Sequence, residues 1–133
     1  MNNNLFRIVL LFFFCSAILL LNSCGNKDDA SPNFEGSWTT VETSRHFGNT
    51  TFTMPISTSS SDKSTLIIKN FYNLGASTNA IGKVSGNNIT LDAQQVSAQN
   101  IHGSGSYSNG KINWTYYTDD GVNRDTCTAV SSK

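Results

Sequence analysis

The dipeptide Asn109-Gly110 constrains the fold of this chain more than any other feature. In a two-residue hairpin turn both central residues take positive φ, which Asn and Gly tolerate best, and the flanking residues pair symmetrically about the turn. On one face the predicted pairs are Tyr107 with Ile112, Gly105 with Trp114, and Gly103 with Tyr116. The large aromatic residues Trp114 and Tyr116 thus lie opposite glycines, which leaves room for rings over the neighbouring backbone and suits a strongly bent sheet.

Two further turn signals, Gly86-Asn87 and Asp120-Gly121, assign the same faces. The first predicts Val84 opposite Ile89 and Gly82 opposite Leu91. Symmetry about the second predicts four more pairs: Cys127 with Trp114, Ala129 with Ile112, Asp125 with Tyr116, and Arg124 with Tyr117. Because independent turns agree on which side chains point inward, local and global patterns are consistent, as a foldable sequence requires.

From Phe34 onward the apolar residues alternate with period two rather than at helical spacing. Phe52, Met54 and Ile56 form one such row, and Leu66 and Ile68 begin another. This pattern predicts an all-β antiparallel meander. Eight strands are just enough to close into a small barrel, and a two-sheet β-sandwich is the alternative because periodicity cannot show closure. About eight strands are expected, roughly at 36–45, 50–58, 63–71, 76–85, 88–92, 95–107, 111–118 and 122–131.

Charge and composition exclude some partners. The chain has nine basic and nine acidic side chains, and its carboxyl-terminal part is rich in Ser, Thr and Asn. Such a segment has too little positive charge to neutralise a row of phosphates, so no nucleic acid is expected as a partner. Its length suits one small domain, which we expect to be monomeric.

The amino terminus resembles an export signal. Arg7 is followed by largely apolar residues 8–21, shorter than the roughly 20 apolar residues of a spanning helix, so a retained transmembrane anchor is the weaker reading. Leu21-Asn22-Ser23-Cys24 resembles the lipobox of bacterial lipoproteins. That resemblance implies a signal peptide at 1–23 and diacylglycerol on Cys24, with further acylation of the new amino group. Two or three chains would anchor the protein durably in a membrane. Cleavage at a non-lipid site, with Cys24 free, is the alternative.

Residues 24–33 are predicted to comprise the lipidated cysteine and a flexible polar tether. Within them, Lys27-Asp28-Asp29 resembles the export signal of Bacteroidota-type surface lipoproteins. We therefore expect an outer-membrane, lipid-anchored protein whose domain is exposed at the cell surface. The alternative is that these charges only keep the linker solvated.

The domain 34–133 resembles lipocalin-like (calycin-type) domains. Gly36-Ser37-Trp38 matches their Gly-x-Trp signature. The stretches 101–107 and 125–129 are similar to a group of small lipocalin-like lipoproteins of unassigned function. The resemblance implies a barrel whose mouth holds a small apolar or amphipathic ligand.

No constellation typical of catalysis is evident. His46 and His102 are the two histidines, and both are predicted on the surface. No His and Cys have the spacing of a zinc site, and no nucleophile elbow is present, so we predict no enzyme activity, no metal and no cofactor. Cys127 is expected to be a small buried residue without reactivity.

Asp125 is the unusual residue of the predicted register, because it points inward, where an unpaired carboxylate would be costly. It lies either at a wet rim, or it is satisfied by Tyr116 or by a ligand. Trp114, Tyr116 and Asp125 are therefore the candidate ligand-binding residues. The alternative function is a non-enzymatic structural or interaction platform with a filled barrel, possible partners being proteins of an envelope complex. An empty apolar cavity of about 300 Å³ or more would favour the ligand.

Overall fold

A computed structural model describes residues 32–133, and it shows a closed antiparallel barrel. Each strand pairs with the next one along the chain, and the last pairs with the first. The prediction of a barrel is confirmed, and the sandwich alternative is wrong. The elements are β1 (Gly36–Ser44), β2 (Gly48–Thr58), β3 (Thr65–Lys69), a 3₁₀ segment (Phe71–Asn73), β4 (Asn79–Ser85), β5 (Asn88–Val96), β6 (Gln99–Ser108), β7 (Lys111–Asp119) and β8 (Arg124–Ser132).

The β6–β7 hairpin has the predicted register. Gly105 lies opposite Trp114 and Gly103 opposite Tyr116, with Asn109 and Gly110 both at positive φ. A Cβ atom added to Gly105 would lie 2.7 Å from Cε3 of the Trp114 indole. The absence of a side chain at position 105 is therefore what lets the indole lie over β6. In the β4–β5 hairpin Val84 lies opposite Ile89 as expected, but the pairing ends at Lys83 with Thr90 and does not include the predicted pair of Gly82 with Leu91.

The β7–β8 hairpin differs from the prediction by two residues. Asp119 pairs with Arg124, so residues 120–123 form a four-residue loop. The Asp120 carboxylate holds this loop because its Oδ1 accepts the N–H groups of Val122 (2.8 Å) and Asn123 (2.6 Å). A shift of two keeps every side chain on its predicted face but changes its partner. The observed pairs are Ala129 with Trp114, Cys127 with Tyr116, Thr126 with Tyr117, and Asp125 with Thr118.

The first turn also begins and ends earlier than the predicted strands at 36–45 and 50–58 suggest. It comprises residues 45–47, and Gly48 already begins β2. The Ser44 hydroxyl oxygen accepts the N–H groups of His46 (3.2 Å) and Phe47 (2.8 Å). A serine side chain thus closes this turn by bonding to the backbone that follows it.

Residues 70–78 leave the barrel wall, although strands were expected to extend to 71 and to begin at 76. Asn70 takes a left-handed conformation with φ of 55°, and its side-chain oxygen accepts the N–H of Gly75 at 2.7 Å. Tyr72 and Asn73 also have positive φ. Local side-chain hydrogen bonding therefore ends β3 and produces the compact 3₁₀ segment.

Strand β5 is longer than predicted because it continues past a bulge between Leu91 and Gln94. The Gln94 amide bonds to both backbone groups of Ile81, accepting from its N–H at 2.7 Å and donating to its carbonyl at 2.8 Å. A side chain thus joins β5 to β4 beyond the last backbone pair of these two strands, Lys83 with Thr90.

Aromatic rings fill the barrel interior. Trp38, Trp114 and Tyr116 enter from strands, and each is at most 2 % exposed. Phe71 enters from the 3₁₀ segment, with its ring centre 5.7 Å from that of Trp114 and 4.6 Å from that of Tyr116. The predicted inward row on β2 is confirmed. The other buried apolar residues include Phe34, Phe52, Met54, Ile56, Leu66, Ile68, Ile89, Leu91, Ile101 and Ile112.

The two ends of the barrel differ. At the tether end, where β1 begins, the Trp38 indole N–H donates to the Phe34 carbonyl at 2.8 Å. The Lys133 ammonium donates to the Glu35 carbonyl at 2.6 Å and lies 4.6 Å from the centre of the Trp38 ring. The far end carries the residue 45–47 turn, the 120–123 loop and the 3₁₀ segment.

The predicted signal peptide, the lipidation site Cys24 and most of the tether lie outside the described residues. Within residues 32–133, no helix is both long enough and apolar enough to cross a bilayer.

Candidate functional site

Three adjacent strands, β1, β7 and β8, bring polar side chains into the interior. Because side chains alternate along each strand, the inward rows of these neighbours meet along one side of the barrel. We call this set the polar seam. Its buried polar members are Thr40, Glu42, Ser44, Thr118, Asp125 and Ser131.

The predicted ligand residue Trp114 is bonded within the polar seam. Its indole N–H donates to the Ser131 hydroxyl oxygen at 3.0 Å, and the hydroxyl oxygens of Ser131 and Thr40 are 2.7 Å apart. These contacts satisfy a polar ring atom that would otherwise be buried without a partner. The indole is thereby held in one orientation in the core.

Tyr116, the second predicted residue, donates a hydrogen bond from its hydroxyl to the Glu42 carboxylate. Glu42 is only 4 % exposed. Burial raises the pKa of Glu42 and the nearby Asp125 charge raises it further, while the bond from Tyr116 opposes them. Burial, together with the Glu42 charge, also raises the pKa of Tyr116, so its phenol keeps its proton.

Asp125, the third predicted residue, is buried as expected, but its partners are not those that the predicted register suggested. The Ser44 hydroxyl donates to its carboxylate, and so do the N–H groups of Arg45 (3.0 Å) and Thr126 (2.8 Å). Burial acts to raise the pKa of Asp125, but these hydrogen bonds outweigh it and the pKa is lowered. The Asp125 carboxylate thus has hydrogen-bond partners within the protein, and none of these three bonds comes from Tyr116.

Tyr72 links the 3₁₀ segment to this group. Its hydroxyl lies 3.4 Å from Oδ2 of Asp125, and its ring packs edge-on against that of Tyr116 at 6.1 Å. Burial raises the pKa of the Tyr72 phenol. The 3₁₀ segment therefore covers the polar seam with one ring, from Phe71, and one hydroxyl, from Tyr72.

Cys127, which pairs with Ser44 on one side and with Tyr116 on the other, is fully buried. Burial first, and then the Glu42 and Asp125 charges, raise the pKa of its thiol to about 12. A thiol with this pKa is protonated at neutral pH and unreactive, because the thiolate is the nucleophile. The expectation of a small buried residue at position 127 is confirmed.

Sequence reasoning missed Glu42, Ser44 and Tyr72. The inward positions of Glu42 and Ser44 could have been predicted, because Trp38 points inward and strict alternation along β1 then places positions 42 and 44 inward as well. The position of Tyr72 could not have been predicted, since it depends on the left-handed conformations of Asn70, Tyr72 and Asn73, which produce a 3₁₀ segment that the alternation does not indicate.

A second feature is a groove on the outer wall at the far end. It has a volume of about 450 Å³ and is lined by Arg45, His102, Tyr117, Asp119, Arg124 and Thr126, among others; we call it the outer groove. The rings of His102 and Tyr117 stack with centres 5.0 Å apart and an interplanar angle of 18°. Both rings are on the surface, as predicted for His102.

Two other open grooves accompany it. One, of about 340 Å³, lies at the tether end near Phe34 and Lys63, and another, of about 430 Å³, crosses the outer wall over Val41 and Val130. Among residues 32–133, no three His, Cys, Asp or Glu side chains are grouped so that they could hold a metal ion. The outer groove is distinguished from the other two by its paired rings and by its two arginines.

Comparison of this chain with models of protein families, with curated proteins and with solved structures gave no match.

Proposed function

We propose that this protein is a lipid-anchored lipoprotein of the outer membrane whose barrel is a non-enzymatic interaction platform exposed at the cell surface. In this role the interior gives rigidity, and recognition takes place on the outer wall. The observation that carries the proposal is the filled interior, where the Trp38, Trp114, Tyr116 and Phe71 rings are each at most 2 % exposed.

The packing explains why a platform is favoured over a carrier. A ligand of drug size needs a cavity of roughly 300 Å³ or more, and the grooves of that size described above are open to solvent. The Trp114 indole and the Tyr116 hydroxyl, which a ligand would use, are bonded to Ser131 and Glu42. Each buried side-chain nitrogen and oxygen in the described part of the chain has a partner.

The anchoring part of the proposal rests on the sequence. Leu21-Asn22-Ser23-Cys24 resembles a lipobox, and Lys27-Asp28-Asp29 resembles a surface-export signal. Replacing Cys24 by Ala should move the protein from the membrane fraction to the soluble fraction, and protease added to intact cells should remove the wild-type domain. A Cys24→Ala protein that stays in the membrane would overturn the lipid assignment, and a domain resistant to protease would overturn surface exposure.

Native mass spectrometry of the protein purified from its own cells tests the platform itself. The mass expected is that of the lipidated chain alone, identical under native and denaturing conditions. A small molecule that is present in the native spectrum and lost on denaturation would show that the barrel is a carrier.

The carrier of a small apolar or amphipathic ligand is the second candidate. One observation favours it: Phe71 belongs to a segment outside the barrel wall with three non-glycine residues at positive φ, a conformation that stores strain. Withdrawal of this segment would open space beside Trp114 and Tyr116, which Phe71 contacts, and would remove Tyr72 from Asp125. If the native spectrum contains a ligand, Tyr116→Phe and Asp125→Asn should reduce its occupancy, while the exposed Phe47→Ala should not.

A further inference from the structure

The outer groove contains a pair of parallel aromatic rings that the core does not use. Tyr117 projects from β7 and His102 from its neighbour β6, and the two residues are direct cross-strand partners. Tyr117 is 45 % exposed although it lies within a regular strand. Rings held flat against each other lose little conformational freedom on binding, so they form a ready-made apolar surface.

The wall beside these rings is uncharged and rich in hydroxyl groups. Directly below them, a row of cross-strand partners crosses five strands. It comprises Thr43, Thr128, Thr115, Ser104 and Thr90. All five are exposed, and hydroxyl groups both donate and accept hydrogen bonds. A ligand that follows this wall therefore meets hydrogen-bonding groups without having to neutralise a charge.

The charges at the rim of the groove cancel. Arg45 and Arg124 are balanced by Asp119 and Asp125, and the Arg124 Nε donates to the Asp119 carboxylate at 2.9 Å. A strongly anionic or cationic ligand would gain no net attraction here. A neutral ligand with many hydroxyl groups could instead bond to the guanidinium donors and to the partly exposed Asp119 carboxylate without burying an unpaired charge.

The position of the groove suits a partner outside the membrane. The chain enters β1 at the tether end, where Phe34 and Glu35 contact Trp38 and Lys133. Tyr117 and His102 lie near the opposite end, two residues before the end of β7 and three after the start of β6. The outer groove therefore lies at the end of the barrel opposite to the attachment point of the proposed anchor.

We infer that the outer groove binds a neutral oligosaccharide, with the apolar face of one sugar ring on the His102–Tyr117 pair and its hydroxyl groups bonded to the groove rim and the threonine-rich wall. This inference rests on the proposed platform function, for which it names the class of partner. Three features match a sugar better than an extended protein surface: the paired flat rings, the uncharged hydroxyl-rich wall and the balanced rim charges. An interface with another protein requires a larger apolar centre.

The test uses the mature lipoprotein in detergent on an array of neutral and acidic oligosaccharides, followed by calorimetric titration with the neutral oligosaccharide bound best. Tyr117→Ala should weaken that binding by about tenfold, because the stacking surface is lost. Tyr117→Phe keeps the ring and should keep most of the affinity. Phe47→Ala removes another exposed aromatic ring, one that is outside the groove lining, and should leave the affinity unchanged.

Several outcomes would overturn the inference: no neutral oligosaccharide bound, a preference for acidic ones, or equal binding by wild type and Tyr117→Ala with both folded by circular dichroism. Cross-linking from position 117 on intact cells to a single protein would assign the groove to a protein partner instead. These failures leave the platform proposal intact if the native mass spectrum contains no carried ligand. A carried ligand would overturn the platform whatever the array shows.

Discussion

The hydroxyl of Tyr116 donates a hydrogen bond to the carboxylate of Glu42 inside the barrel, and the two residues come from strands that β8 separates. Glu42 has a raised pKa, whereas Asp125 on the intervening strand has a lowered one. The difference follows from hydrogen bonding: Asp125 accepts two backbone N–H groups and the Ser44 hydroxyl, while burial dominates at Glu42. The interior therefore holds two carboxylates with opposite effects on stability as the pH changes.

Replacing Glu42 by Gln should make the domain more stable at neutral pH. A buried acid with a raised pKa binds more protons in the folded than in the unfolded state, so wild-type stability falls as the pH rises above the ordinary value of 4.5. Below that pH Glu42 is protonated in both states and the penalty disappears. The amide oxygen of the Glu42→Gln variant would still accept the bond from Tyr116. Urea unfolding from pH 4 to pH 8 should show a stability difference between variant and wild type that grows with pH.

The other glutamate of the chain provides the matched control. Glu35 is exposed, and hydrogen bonds from Thr58 lower its pKa. Glu35→Gln should therefore give no gain at neutral pH. Equal pH dependence of wild type and Glu42→Gln would contradict the assignment of a raised pKa to Glu42.

Replacing Gly105 by Ala should destabilise the barrel. The new methyl group would lie 2.7 Å from Trp114 Cε3 and 3.2 Å from Ile112 Cγ2, so the indole would have to move within a packed core. Overpacking of this kind costs about 1–3 kcal/mol in the free energy of unfolding. Ser104→Ala, on the outer face of the same strand, should stay within about 0.5 kcal/mol of wild type in the same chemical unfolding experiment. A Gly105→Ala protein as stable as wild type would refute the close approach of the Trp114 indole to Gly105.

Replacing Asp120 by Ala should lower the melting temperature by loosening the 120–123 loop, because its carboxylate accepts two backbone N–H groups there. These bonds also lower the pKa of Asp120. Their contribution is present above the ordinary value of 3.8 and is lost as the pH falls through the lowered pKa. The difference in melting temperature between variant and wild type should therefore shrink in acid. Asp92→Asn, which removes an exposed ion pair with Lys83, should change little.

Cys127 should resist thiol reagents in the folded protein. Its pKa of about 12 leaves so little thiolate at pH 8 that labelling should be slower than in urea by on the order of a thousandfold, with burial slowing it further. The rate of reaction with DTNB, measured on the mature lipoprotein, checks this. Fast labelling without urea would mean that β8 or the 3₁₀ segment opens readily.

Much of the architecture was predictable because tight turns are local. Asn109-Gly110 fixes the pairing of β6 with β7, and alternation then decides which side chains point inward. The β7–β8 register was predicted with an error of two residues because the Asp120 side chain, rather than a two-residue turn, organises that loop. The predicted inner and outer faces of β8 were nevertheless correct, because side chains alternate with period two along a strand and a shift of two residues does not change their face.

The candidate sites were less accessible from sequence. Asp125 was identified as an inward carboxylate, but Glu42 and Tyr72 were not, although they complete its surroundings. The β6–β7 register places His102 beside Tyr117, whereas their stacking and the groove around them, which also needs Arg45 and Arg124 from the far end of β1 and β8, appear only in the structure.

The sequence by itself determined the strand class, the two short hairpins and the division into inner and outer faces, because period-two alternation and turn chemistry act between residues that are close along the chain. The tertiary structure alone decided that the barrel closes, that Phe71 fills its centre, and that Glu42 meets Tyr116. These contacts join residues far apart in sequence, and they form only once the pairing of β8 with β1 completes the barrel.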